Sequence, residues 1–417
     1  MSANALKPTA IAILAFSRIS RDPRVLRQCR LIESLGQRPL VIGFGESEDV
    51  VPYQILKWPT PQPSLARRLA TLTRQLPACA GLSAARWGFW SAPVYRRALD
   101  GLRRHRPTFV VANDWPALVV AAAYKAEHHR SATAPPVRLH YDTHEFATLE
   151  FDESLWWRTV YKPMVQRLER AAIASADSVS TVGPGIAEAL QALYGLPVLP
   201  TVIRNTPERV IIERPGPTPW PLRLLYHGNV VPNRGLEWLI QSVVYWRTPH
   251  RLTIRGNGSP AYIESLKRLA NKTGRGELVN FEPPVAPDEV IRAAALTADV
   301  GAFFTPLDNV QRHMTLPNKL FEYIAAGLAV VISPARDMQT IVEEHGVGVV
   351  SHDMTPQAIS GAINALSPEN VASFQAASRT AAEHLSWERE QASLRDLIGP
   401  WLTARMRRTR PMDDDLQ

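Results

Sequence analysis

Cysteine is scarce: the chain has two in 417 residues, and neither stands in a pair spaced for a metal or for redox chemistry. A reducing compartment suits that usage. Cys29 shares an apolar stripe with Val25, Ile32 and Gly36, where a small thiol is expected to be buried packing. Long apolar runs are missing too. No stretch of about 18 apolar residues occurs, so no membrane span is expected. The opening "MSANALKPTAIAILAFSRISRDPR" has an apolar run too short and too soon interrupted for a signal peptide, so a cytoplasmic location is expected. Complete dinucleotide fingerprints are absent. "IRGNG" has Ala261 where a third glycine should stand, and "VIGFGESE" has Glu48 there, which disfavours a dehydrogenase. No Asp-x-Asp pair ends a strand, since "DDD" at 413–415 belongs to a charged tail. With no His, Cys or Asp cluster at metal-ligand spacing either, neither a bound metal nor a cofactor is expected.

What remains is the composition of a soluble enzyme, 45% hydrophobic and 21% charged, in a chain long enough for two domains. The net charge of +8 is concentrated. Between Gln62 and Pro107 stand Arg67, Arg68, Arg74, Arg86, Arg96, Arg97, Arg103, Arg104 and Arg106 against the single acid Asp100, which accounts for the whole excess. Trp87, Phe89, Trp90 and Tyr95 are interleaved with them. Rings beside clustered cations suit the headgroup layer of an anionic membrane, at roughly 1 kcal/mol per basic residue. A solvated arginine-rich helical region is the plainer alternative. Nucleic acid fits less well, because no recognition motif accompanies the patch.

Short β-rich runs alternate with amphipathic segments throughout, the pattern of parallel sheets with crossover helices. In the first half strands are expected at "TAIAILAF", "RPLVIGFG", "TFVVAND", "VRLHYDTH", "SVSTV" and "VLPTVIRN". Helices are expected at Pro23 to Leu35, with Asp22 as cap and Pro23 in the first turn, and at Trp156 to Ala174. The second half repeats the alternation with "LRLLYHGN", "HRLTIRGNG", "LVNFEPPV", "ADVGAFFT", "AVVISP" and "GVGVVSHD". Between them, proline-rich "TPERVIIERPGPTPWP" at 206–221 is expected to be a linker. The expected fold class is α/β, two Rossmann-like domains facing across a cleft: residues 1–205, the linker 206–221, and 222–385. Open sheets of this kind bind ligands at the carboxyl ends of their strands.

The stretch "TLPNKLFEYIAAGLAVVISP", residues 315–334, is the most informative. Leu316, Leu320, Ile324 and Leu328 mark a buried stripe, while Asn318, Lys319 and Glu322 crowd one side of the first turns. Past Glu322 that side continues as Ala325 and Ala326, so the charges sit at one end only. A helix N-terminus with a lysine makes an anion site, and a carboxylate one turn on can accept two hydroxyl protons from a diol. Phosphate beside a vicinal diol describes a nucleotide; an ordinary Lys–Glu surface pair is the alternative. Upstream, "YHGNVVPNRG" offers Gly228 for close backbone approach and Arg234 to reach a diphosphate.

Together "PNKLFEYIAAGLAVV", "YHGNVVPNRG", "IRGNG", "SRDPRVLRQC" and "YDTHE" resemble the retaining glycosyltransferases of family four, which have the GT-B fold. The likeness runs over nearly the whole chain, including "ADSVSTVGPGIAEAL" and "LSWEREQASLRDLI", and implies that residues 386–417 return to the N-terminal domain. It implies a nucleoside diphosphate sugar in the C-terminal domain. Arg234 and Lys319 would neutralise the departing diphosphate, Glu322 would hold the ribose, and Gly228, Gly256 and Gly258 would admit the nucleotide. His313, Thr315, Leu316 and Asn318 would complete the donor site. Arg18, Ser20 and Arg21 would face it from the acceptor side, with His144 beside the reacting carbon. A histidine satisfied by backbone at a strand end is the alternative for His144. Where the family often has a first glutamate, this chain has Met314, which cannot bind sugar hydroxyls strongly. The implied activity is metal-independent, retaining hexosyl transfer to a glycan or lipid-linked acceptor at the cytoplasmic face of a membrane. Two rivals stand beside it: a donor-binding scaffold without turnover, motivated by Met314, and a sugar-nucleotide epimerase using Asp142, His144 and Glu145.

Overall fold

The computed structural model describes residues 11–45, 53–56, 81–130, 135–149, 154–212 and 218–403. Arg67, Arg68, Arg74, the second cysteine and the acidic tail lie outside them. The chain forms two compact units: one of Met1–Ile203 with Gln391–Gln417, the other of Arg204–Glu390.

The first unit is built on a seven-stranded sheet in the order β3-β2-β1-β4-β5-β6-β7, with every pairing parallel. Its strands are β1 (Ile11–Arg18), β2 (Leu40–Phe44), β3 (Tyr53–Leu56), β4 (Phe109–Asn113), β5 (Arg138–Thr143), β6 (Ser178–Thr181) and β7 (Thr201–Val202). Helices cover both faces, which is why β2 and β4 are buried end to end and read as unbroken apolar runs. The helix Pro23–Ser34 starts as the sequence predicts, with Asp22 accepting from the Val25 amide at 3.2 Å and Pro23 in the first turn. At Trp157–Tyr161 the chain forms a π-helical turn, which continues as the helix Lys162–Ile173. The wide turn lies just before Pro163, a residue with no amide to donate.

The second unit has six parallel strands in the order β10-β9-β8-β11-β12-β13. These are β8 (Arg223–His227), β9 (Arg251–Arg255), β10 (Val279–Glu282), β11 (Val300–Phe303), β12 (Ala329–Ile332) and β13 (Gly348–Val350). In each unit strand order reverses once, between β1 and β4 and between β8 and β11, and that switch opens a crevice at the carboxyl edge. The expected linker is packed onto the second unit over its described part. The Trp387 amide donates to the Pro207 carbonyl at 2.8 Å, and the Arg209 guanidinium pairs with Glu383 at 2.6 Å.

The arginine-rich segment forms the helices Leu82–Trp90 and Pro93–His105. Its aromatic rings do not all face water. Phe89 is 3% exposed and stacks on Tyr95 at 3.9 Å, while Trp90 is half-buried against Phe89. Trp87 alone of the four is well exposed, at 58%. Arg86, Arg96, Arg97, Arg104 and Arg106 are exposed, and Arg103 is held by Glu127 and Asp100. No helix among the described residues is long and apolar enough to cross a membrane.

Candidate active site

In the second unit the crevice at the switch point is filled from one side by Lys319. The helix Asn318–Ala325 starts just after Pro317, and Leu320, Phe321, Tyr323 and Ile324 anchor it in the core. That anchoring pushes Lys319 inward across the ends of β8 and β11. Its Nζ lies 5.5 Å from the centroid of Tyr226 and 5.3 Å from that of Phe303, one ring from each strand. Burial, and next the nearby charge of Arg234, lower its pKa to about 8 against the weaker pull of Glu322. Neither the Lys319 ammonium nor the Arg234 guanidinium has a hydrogen bond or ion pair with another described residue. A partly desolvated cation without a counter-charge is costly, and a bound anion would offset that cost.

The glycines have internal reasons to be glycine. At Gly228, with φ at +114°, a Cβ would stand 2.8 Å from Lys319 Nζ, so the missing side chain is the room in which the ammonium sits. At Gly256, with φ at +158°, a Cβ would fall 1.7 Å from the Gly228 carbonyl oxygen. At Gly258 it would meet the Val230 carbonyl oxygen at 2.2 Å. The loops after β8 and β9 therefore nest against one another, tied by the Val230 amide donating to Asn257 at 2.7 Å.

Glu322 has a neighbour that the sequence does not announce. His227, buried at the end of β8, stacks on Tyr323 and brings Nε2 to 2.9 Å from Glu322 Oε2. The approach is off the hydrogen-bonding line, so Nε2 has no well-directed partner. Asn318 is exposed and accepts from Asn205 Nδ2 at 2.9 Å. Leu316 and Met314 are buried, Thr315 is half-buried and His313 is exposed. No hydrogen bond or ion pair joins His313 or Thr315 to Lys319.

The first unit carries the other expected residues. Arg18, Ser20 and Arg21 are exposed at the end of β1, and their side chains make no hydrogen bond or ion pair to other described residues. His144 follows β5 with its side chain 22% exposed. Its amide donates to Asp114 Oδ1 at 2.9 Å, and its Nε2 lies 3.2 Å from Asn113 Oδ1. Behind it, Arg24 Nε and Nη2 each donate to Asp142 at 2.6 Å. Burial opposes charge on Asp142, but Arg24 outweighs it and holds the carboxyl well below the usual range. Asp142 is thus fully engaged and is not available as the acid or base that an epimerase would need.

The matches with known proteins bear on family and fold. Residues 221–368 match the family model "Glycosyl transferases group 1", and residues 22–206 match "Glycosyl transferase 4-like domain". No curated protein sequence matches. Among solved structures, Anabaena HepE in complex with UDP is similar with a TM-score of 0.67 at 15% identity, over 93% of this chain and 99% of that one. Sucrose-phosphate synthase from Thermosynechococcus elongatus gives 0.68 at 14% identity, over 94% and 99%. The lipopolysaccharide outer core galactosyltransferase WaaB gives 0.63 at 13% identity, over 94% and 99%. Two family models that between them take in most of both units, on a shared fold, lead to one conclusion: the chain belongs to the group 1 and 4-like glycosyltransferases, with the GT-B fold.

Proposed function

We propose that the chain transfers a hexose from a nucleoside diphosphate sugar to a glycan or lipid-linked acceptor, with retention of anomeric configuration and without a metal ion. The observation that carries this is Lys319, a half-buried ammonium without an ion pair at the switch point of the C-terminal sheet, with Arg234 close by. HepE, a structural neighbour, was solved with UDP, a ligand of the chemistry that such a pair of cations selects. Negative charge grows on the diphosphate as the bond to the sugar breaks, and two preorganised cations stabilise it at that moment. Glu322 takes the ribose hydroxyls, in exchange for its present approach to His227. His144 supplies a polar group beside the sugar, and Arg18, Ser20 and Arg21 serve the acceptor. WaaB acts on a lipopolysaccharide outer core, which supports a lipid-linked acceptor here. The exposed Trp87 and its flanking arginines are the residues by which the protein would lie against an anionic membrane on its cytoplasmic side.

A scaffold that binds donor without turnover is favoured by one feature, the buried Met314 where a sugar-binding carboxylate could stand. A panel of uridine, guanosine and adenosine diphosphate sugars separates the two. The wild-type chain should be stabilised against heat by one nucleotide and should release it when membrane extract supplies acceptor. Stabilisation without release supports the scaffold. Neither stabilisation nor release with any donor overturns the assignment.

A further inference from the structure

The buried polar cluster of the first unit fixes the protonation of His144 through its neighbours. Asp142 is ionised, because Arg24 grips both of its oxygens. An ionised carboxylate only accepts, so the Gln28 atom 2.6 Å from Asp142 Oδ2 must be the amide nitrogen. Gln28 then turns its oxygen to Asn113 Nδ2 at 3.0 Å, and its nitrogen also reaches Asn113 Oδ1 at 3.0 Å. Asn113 therefore offers an oxygen to His144, whose Nε2 at 3.2 Å has to carry a proton. The Nδ1 side faces a second acceptor, Asp114 Oδ2 at 3.5 Å.

Nε2 makes a hydrogen bond to Asn113, with Asp142 Oδ2 at 3.6 Å, and Nδ1 lies within ion-pair distance of Asp114, an arrangement that favours the imidazolium. The charges facing the ring are Asp114, Asp142 and Arg24. Burial opposes a charged ring, yet the two carboxylates outweigh burial and Arg24, and raise its pKa to about 9. His140, on the far side of Asp142, meets Ser178 and Ser180 instead. Burial there outweighs the pull of Asp142, and its pKa falls to about 4. Asp114 is placed for its task at some backbone cost. Its φ of +63° is uncommon for a residue with a side chain, and it lets one carboxylate take the His144 amide with one oxygen and face the ring with the other.

We propose that Asp114, with Asn113, is the positioning residue that holds His144 as a doubly protonated cation, so that His144 meets the substrate as a fixed positive donor and never as the base. This rests on the glycosyltransferase assignment and adds a role within it. The acceptor hydroxyl then gives its proton elsewhere. Its oxygen bonds to the sugar carbon, the carbon–oxygen bond to the diphosphate breaks with its electron pair, and the acceptor proton ends on a diphosphate oxygen.

The test is a ring-¹⁵N histidine spectrum of the full chain without donor, with His144 assigned by its loss in His144→Gln. Both His144 nitrogens should be protonated from pH 6 to 8 and lose a proton near pH 9. In Asp114→Asn, chosen because asparagine tolerates the left-handed backbone, the midpoint should fall by about one unit or more. Its kcat should drop ~10-fold or more at unchanged donor KM, and Asp114→Glu should recover part of the rate. A neutral His144 at pH 7 in the wild-type spectrum, which needs no variant to fold, overturns the proposal. So does an Asp114→Asn enzyme with wild-type kcat. The spectrum is taken on free protein, so its failure is distinguishable from failure of the donor panel.

Discussion

Raising pH alone should loosen the grip on donor, because Lys319 is half deprotonated in the free protein near pH 8. Its pKa is lowered from an ordinary 10.5 to about 8, first by burial and then by Arg234. The negative charge of a diphosphate diester in contact with the ammonium offsets both causes, and the diester does not itself titrate near pH 8, so any proton change belongs to the protein. If binding restores the ordinary value, the site takes up about 0.1 proton at pH 7, about 0.5 at pH 8 and about 0.9 at pH 9. Affinity then falls ~10-fold per unit above pH 8, towards a limit of ~300-fold set by the 2.5-unit difference. Calorimetry of nucleotide-sugar binding in two buffers of different ionisation enthalpy measures the uptake directly. Lys319→Met should abolish it and weaken binding. The same variant should raise the melting temperature of the free protein, since it deletes a half-buried charge without an ion pair. No proton uptake at pH 8 to 9, with an affinity flat over that range, would refute the reasoning about Lys319 outright.

Three further outcomes follow from packing and charge. Gly228→Ala puts a methyl 2.8 Å from Lys319 Nζ on a backbone at +114°, so nucleotide binding should weaken ~10-fold or more by calorimetry. Arg24→Met strands a buried carboxylate and should cost ~3–5 kcal/mol in urea unfolding, most of it recovered in Arg24→Met/Asp142→Leu. His144 has a folded pKa above its unfolded one. Its contribution, about 3 kcal/mol at most, is full below pH 6.5 and is lost as pH rises through about 9. Denaturation at pH 6 and pH 9.5 should show this loss in the wild type and not in His144→Gln.

Twelve of the strands are legible from short β-rich runs between amphipathic segments, and β1, β4 and β11 stand out because buried parallel strands are apolar with little interruption. β3 escapes the same rule. "YQIL" is only four residues at a sheet edge, follows Pro52 and has polar Gln54 within it. The anion site is legible because its parts lie within one helix turn, where spacing alone brings Lys319 and Glu322 to the same end. His227 and the ring pair Tyr226 and Phe303 come from other strands, and only the strand order brings them to Lys319. The cluster around His144 is harder still. Arg24 and Gln28 stand four apart on a helix whose exposed face is also arginine-rich, and their partners Asn113 and Asp142 are 85 to 118 residues away. Two polar residues on the stripe with Val25 and Cys29 were the available signal. The aromatic run at 87–95 is only partly legible for a related reason: composition does not say which way a ring turns, and Phe89 and Tyr95 turn towards each other while Trp87 is exposed.

The nesting of Gly256 against Gly228 has a consequence for how this enzyme can diversify. Each loop is the other's mould, so neither can acquire a side chain at that point without its neighbour being remade in the same step. Paths through single substitutions are closed there, so change has to begin at side chains without such a counterpart, and the exposed His313 is one.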